Sequence, residues 1–288
     1  MKRLLVWSVT GPLFFALVLA CAQTQAPQPQ TIVSEGRPEI SEYMASPSVL
    51  VFSRTAGWRH NEGIAGADLF FVELAEDFGY GVFTTANPAV FNAEDLERFD
   101  LVVFNNVTGV ALSEAQQQAF ETWMSSGGAW IGLHGSGDSS LQPWSWYQEN
   151  LIGTAFIGHT MDPQFQSAQM VSLKTDHPVL EGIPETWAHT DEWYSFSKTP
   201  EQEGVVHLVG IDETSYAPLN TVVDRWPEDL SMGSTPSDHP MIWAVCTPAY
   251  RGVYSALGHS HQTYRDPVYR RLLANAFKWV TAKGEPDC

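Results

Sequence analysis

The sequence predicts an α/β protein whose parallel sheet is covered by helices on both faces. Three observations carry this expectation. Val49-Leu50-Val51-Phe52-Ser53, Leu101-Val102-Val103-Phe104-Asn105 and Trp130-Ile131-Gly132-Leu133 are almost continuously apolar, as strands buried on both faces are. Segments with helical apolar spacing separate them. The resulting alternation of strand and helix is the pattern of a parallel sheet.

The first strand runs from Val49 to Ser53, and a loop through Trp58-Arg59-His60 follows. Asn61 is placed to cap a helix whose Ile64, Ala67, Phe71, Leu74 and Phe78 keep one apolar face, and Gly79 ends it. Tyr80 to Thr85 reads as the second strand and Leu101 to Asn105 as the third. Ser113 with Gln116 three residues on is a capping box for a helix over 114–124, closed by Gly127-Gly128. Trp130 to Leu133 is the fourth strand. Beyond it, 143–151 reads as helix, and 165–175 and 187–197 as strands with polar alternation, suited to a lid or an antiparallel extension. Val205 to Ile211 is again an apolar strand, and 212–239 is rich in turn formers and reads as a long loop. Met241–Cys246 and Gly252–Leu257 form a hairpin, and a helix over 267–282 closes the chain.

The beginning of the chain has a different character. Lys2 and Arg3 precede an apolar run from Leu4 to Ala20, the pattern of a secretion signal. Val18-Leu19-Ala20-Cys21 resembles a bacterial lipobox, which makes Cys21 the expected lipidation site and the outer membrane or periplasmic face the expected location. An uncleaved anchor is disfavoured, because Gly11-Pro12 interrupts a run already short for a spanning helix. Residues 21–47, rich in Gln, Pro, Ser and Thr, suit a flexible tether. About 240 residues then remain for one domain.

The formal charge is −18, and removing residues 1–20 takes away two bases and no acid, leaving about −20. Such a balance argues against nucleic acid as a partner and against direct attraction to anionic head groups. Eleven Trp, nine Tyr and fifteen Phe can line a sugar site or simply fill a core. With Cys21 assigned to lipid, Cys246 sits in an apolar run and reads as a buried small hydrophobe, and a pairing with Cys288 has no spacing signature.

Four clusters can carry chemistry. His134 follows the fourth strand on a glycine-flanked turn, Gly132-Leu133-His134-Gly135, where a nucleophile elbow would present its side chain. Imidazole there is a proton carrier or metal ligand rather than an acyl-forming nucleophile. His259 and His261, in Gly258-His259-Ser260-His261, follow the last strand, also at a carboxyl end where open α/β sheets bind ligands. An HxH pair can hold a metal, although an exposed His261 is the plainer reading. In His189-Thr190-Asp191-Glu192-Trp193-Tyr194, strand alternation puts His189, Asp191 and Trp193 on one face and Glu192 and Tyr194 on the other, so only one acid is expected to act. Trp58-Arg59-His60 lies near a helix start that favours a polar ligand. His159 is a weaker candidate, and His177 before Pro178 reads as a turn residue. No Ser/His/Asp triad, Walker loop, GxGxxG, CxxC pair or HExxH is present.

Taken in order, these pieces resemble the trehalose-utilisation (ThuA-like) family. The matching stretches are Trp58-Arg59-His60, Phe99 to Asn105, Gly127 to His134, Asp176-His177-Pro178, Asp191-Glu192-Trp193-Tyr194, His239 to Trp243, Arg251 to Tyr254 and Leu257-Gly258-His259. The resemblance implies a flavodoxin-like, class I glutamine amidotransferase-like three-layer sandwich over 48–284, mostly parallel with an antiparallel extension. By position His134 replaces the amidotransferase cysteine, His259 its histidine, and His261 stands where its glutamate would be, which argues against glutaminase activity. The family's link to trehalose implies a sugar or 3-keto-sugar substrate, in which the keto group acidifies the neighbouring C–H for a positioned base.

The leading expectation is an exported, lipid-anchored enzyme of carbohydrate catabolism. His134, His259, Asp191 and Glu192 are its catalytic candidates, and Trp58, His60, His159, Trp193 and Tyr194 its substrate-binding ones. A divalent metal on His134, His259 and His189 stays open. The alternatives are a non-catalytic glycan-binding lipoprotein and a metal-dependent hydrolase of another ester or amide.

Overall fold

The protein is described from a computed structural model that covers residues 36–141 and 144–283. The signal segment 1–20, Cys21 and Cys288 lie outside the described residues. One nine-stranded mixed sheet organises the domain. Strands β1 (Ser48–Phe52), β2 (Gly81–Thr85), β3 (Leu101–Asn105), β4 (Ala129–Leu133) and β11 (Arg251–Ser255) form its parallel part, in the order β2-β1-β3-β4-β11. Every residue of β1, β3, β4 and β11 is buried, which is why those segments read as unbroken apolar runs. Strands β10 (Pro240–Cys246), β9 (Val205–Asp212), β6 (Phe165–Ser172) and β7 (Thr186–Glu192) continue the sheet antiparallel from β11. The expected antiparallel extension is therefore the distal half of the same sheet.

Helix α1 (Asn61–Phe78) lies between β1 and β2, and buries Ile64, Ala67, Phe70, Phe71 and Leu74. Gly79 ends it at φ 72°, where its N–H reaches the carbonyls of Ala75 and Glu76. Its start differs from the expectation. His60, not Asn61, is the cap residue, and its carbonyl accepts from Ile64 N–H while its side chain makes no cap bond. The Asn61 side chain instead accepts from Arg59 Nε at 2.9 Å. This frees the His60 ring to turn inward. Helix α2 (Ala93–Leu96) is a single short turn, and α3 (Glu114–Ser125) begins with the expected capping box between Ser113 and Gln116. Helix α5 (Pro267–Val280) is capped by Asp266, which accepts from Val268 and Tyr269 N–H.

Three further differences bear on the site. The helix expected over 143–151 is only α4 (Ser145–Tyr147), running into a π turn over Gln148–Ile152. The strand expected over 187–197 breaks at Trp193 into β7 and β8 (Tyr194–Phe196), and β8 pairs with the unforeseen β5 (Phe156–His159) in a separate two-stranded sheet. Residues 36–47, expected as the end of the tether, are seated on the domain. Arg37 grips Asp95 with Nε and a terminal nitrogen at 2.8 and 2.6 Å, and Ile40 is buried. Cys246 is buried, as expected, and is disulfide-bonded. Among the described residues no helix is long and apolar enough to cross a membrane.

Candidate functional site

His134 begins the turn after β4 with φ 40°, a left-handed conformation unusual for a residue with a side chain. The backbone is held there by Tyr254, whose hydroxyl donates to the His134 carbonyl at 2.7 Å. Gly135 has to be glycine, because a Cβ would come within 2.9 Å of the His60 ring. The His134 ring is fully buried under Tyr194, with ring centres 4.2 Å apart. The exposed presentation expected of an elbow is thus corrected: Tyr194 of β8 covers the ring. His134 Nδ1 lies 2.7 Å from the Ala256 carbonyl, which can only accept, so Nδ1 carries the proton. Nε2 is thereby turned toward Glu192 Oε2 at 3.3 Å and His259 Nδ1 at 3.2 Å.

Glu192 is the last residue of β7 and comes to the site by the strand alternation read from the sequence. Its Oε2 lies 3.1 Å from His259 Nδ1, and its Oε1 takes a short hydrogen bond from Gln164 Nε2 and faces His159 Nδ1 at 3.3 Å. Burial is the largest influence and favours the neutral acid, yet the bonds to His134 and His259 outweigh it and hold the carboxyl well below the usual range. In His134 burial favours the neutral ring, but the Glu192 carboxylate wins and raises its pKa.

His60 completes the group. Its ring stands edge-on to those of His134 and His259, at centre distances of 4.7 and 4.9 Å. The ring is buried and Nδ1 has no hydrogen-bond partner. Burial, then the like charges of His134 and His259, push its pKa down to about 2, so it is neutral. One ligand atom from each of His60, His134, Glu192 and His259 can be chosen so that all lie within 4.8 Å of one another.

Asp191 takes the other side of β7. Its Oδ2 accepts from Gly258 N–H at 2.8 Å and Thr263 Oγ1 at 2.9 Å, and its Oδ1 from Glu192 N–H at 2.9 Å and His259 N–H at 3.3 Å. Behind it His189 lies between Asp191 and Asp266, 3.8 and 3.4 Å away. Burial would neutralise His189, but the two carboxylates raise it to about 9. Asp191 and His189 therefore brace the site from behind and add no ligand atom to the cluster.

A cavity of about 570 Å³ opens over Glu192 and His60. His159, Tyr194, Phe156 and Trp226 form part of its wall, and Trp58, 73% exposed, stands at the rim. Trp193, expected in a sugar site, is fully buried and packs toward His189 and Tyr216 instead. The alternation that delivers Glu192 and Tyr194 to the cavity carries Trp193 away. His261 is at the surface beside Glu62, 3.0 Å apart, and takes no glutamate-like place. His177 caps a turn as expected, accepting from Val179 N–H.

Asp138 was not singled out from the sequence. It lines the same cavity, and its Oδ1 takes bonds from Ser140 N–H and Oγ. Burial pushes its carboxyl up to about 6 despite those bonds. The available signal was its place four residues after His134, on the same glycine-rich turn. Gln164 and the loop residues Arg225 and Trp226 were missed as well, since loops carry no periodicity to read.

The family model for ThuA, trehalose utilisation, matches residues 48–280. Comparison with curated proteins gives no match. Among solved structures, a ThuA-like protein from Bacteroides uniformis ATCC 8492 is 23% identical, with TM-score 0.69, over 87% of this chain and 99% of that one. One from Parabacteroides merdae ATCC 43184 is 13% identical, with TM-score 0.60, over 84% and 92%. A cytoplasmic protein of Salmonella typhimurium LT2 is 9% identical, with TM-score 0.53, over 81% and 99%. These likenesses concern the fold. The match over the whole domain settles the lineage: the chain belongs to the ThuA, trehalose-utilisation, family.

Proposed function

We propose that this protein is an enzyme of carbohydrate catabolism that takes a sugar or keto-sugar into the cavity over Glu192 and His60. One observation carries the reading: two carboxyl groups, Glu192 beside the histidine cluster and Asp138 on the turn after β4, line that same cavity with His60 and His159. Glu192 is held charged by His134 and His259, whereas Asp138 is pushed up to about 6. Groups whose surroundings drive their pKa values apart are the mark of an acid–base site. Asp138 is suited to move a proton near neutral pH, and the His60 and His159 rings in the cavity wall to donate to the sugar's oxygen as negative charge develops on it. His134, being buried, acts through Glu192 and not on the sugar directly. With a 3-keto-sugar, Asp138 takes the acidified C–H proton; it returns it to the neighbouring carbon in an isomerisation, or to the departing glycosidic oxygen as the C–O bond breaks in an elimination, and neither route needs a covalent intermediate.

The test is turnover of trehalose, 3-keto-trehalose and related glycosides by the full chain and by Asp138→Asn. The reading expects turnover of at least one and a loss of about 100-fold or more in the variant. Absence of turnover on every sugar, with saturable binding retained, would favour the second reading, a glycan-binding protein. The exposed Trp58 at the rim and Trp226 in the wall speak for that alternative. Export and lipid attachment at Cys21 belong to the same proposal and rest on the pattern of residues 1–21.

A further inference from the structure

The cluster under the cavity has the geometry of a metal centre. His134 Nε2, His259 Nδ1 and Glu192 Oε2 lie 3.2, 3.3 and 3.1 Å from one another. A tetrahedral Zn²⁺ with nitrogen and oxygen ligands at about 2.0–2.1 Å holds those atoms about 3.3 Å apart. The surroundings fit as well. His134 donates its other ring nitrogen to the Ala256 carbonyl, the usual way a metal-binding imidazole is oriented. The second oxygen of Glu192 is anchored by Gln164. Glu192 adds the independent observation: its Oε2, set between His134 Nε2 and His259 Nδ1, is buried and has no hydrogen-bond partner, and the buried His60 ring beside it has an unpartnered Nδ1. An unpaired buried carboxylate oxygen is costly, and a metal beside it removes that cost.

We propose that His134, His259 and Glu192, with His60 as fourth ligand, bind one divalent first-row transition metal, with Zn²⁺ the best match. The three-imidazole, one-carboxylate set suits Zn²⁺ and its neighbours rather than Mg²⁺ or Ca²⁺, which take oxygen ligands. The ligand set differs from the one expected from the sequence, since His60 and Glu192 replace His189. It rests on the site assigned above and not on the identity of the sugar. Of the four, His60 and Glu192 line the cavity, so the metal would meet a bound sugar from their side.

The full chain, stripped with a chelator, is titrated with Co²⁺ and then challenged with Zn²⁺, with metal content measured by elemental analysis. The expected result is one Co²⁺ per chain, displaced by Zn²⁺. Glu192→Gln should lose stoichiometric binding, Gln164→Ala should bind about 10- to 100-fold more weakly, and His177→Ala should bind as wild type does. Circular dichroism of each variant reports whether it has folded, and Gln164→Ala carries the test if Glu192→Gln has not. Failure of the wild type to bind, or undiminished binding by folded Glu192→Gln and by Gln164→Ala, overturns the assignment. The two proposals fail separately. Wild type that binds no metal yet turns over 3-keto-trehalose removes the metal and keeps the sugar. Bound metal with no turnover of any glycoside removes the sugar and keeps the metal.

Discussion

Asp191 accepts a hydrogen bond from the backbone N–H of Glu192, its own chain neighbour, at 2.9 Å, and the same carboxylate holds the backbone of His259. Adjacent acids thus divide the work: Glu192 faces the cavity, while Asp191 ties two segments of the site together from behind. Helix α1 packs closely against this same loop. A Cβ on Gly63 would lie 2.3 Å from the Gly258 carbonyl, so only glycine lets the helix come so close.

All four groups that bond to Asp191 donate to it. Asp191→Asn turns an amide N–H₂ toward donors and leaves His189 with less opposite charge. The variant is expected to lose about 2 kcal/mol of stability and to show reduced turnover. Denaturant unfolding beside a kinetic assay checks both, and wild-type values in both would remove Asp191 from the clamp.

Asp138 gives a pH dependence of definite sign. Its folded pKa of about 6 exceeds the usual unfolded value, so the folded state binds the proton more tightly. The group therefore costs nothing below about pH 4, and its cost grows through pH 6 to about 3 kcal/mol at neutral pH. Asp138→Asn should be more stable than wild type at pH 8, by an amount that shrinks toward pH 4. Chemical denaturation at several pH values reads the difference, and a gap that does not vary with pH would contradict the raised carboxyl.

Trp58 is exposed at the rim and contributes little to the core. Trp58→Ala should leave the melting temperature within a degree or two and weaken sugar affinity by about 1 kcal/mol, the scale of one aromatic face. Calorimetric titration with trehalose or its 3-keto form is the check. A large drop in stability with unchanged affinity would make Trp58 structural.

Much of this was legible in the chain because burial leaves a period. The fully buried strands read as apolar runs, and the glycines around His134 and His259 marked turns at the carboxyl ends of β4 and β11. Alternation along β7 correctly separated Asp191 from Glu192, and the same alternation makes Trp193 a core residue. What could not be read depends on contacts between distant segments. The inward turn of His60 follows from its place at a cap whose side chain makes no cap bond. Asp138 and Trp226 lie on turns whose approach to the cavity is set by the rest of the fold. β5 was hidden because its partner β8 begins only where β7 breaks.

The central claim is that Glu192 organises His60, His134 and His259 into one reacting centre. The most direct measurement is kcat on 3-keto-trehalose for Glu192→Gln beside wild type, with both shown to be folded. The account predicts that the isosteric change lowers kcat by about 100- to 1000-fold, because the imidazoles that Glu192 orients lose their preorganisation. Equal kcat for the two proteins would contradict it.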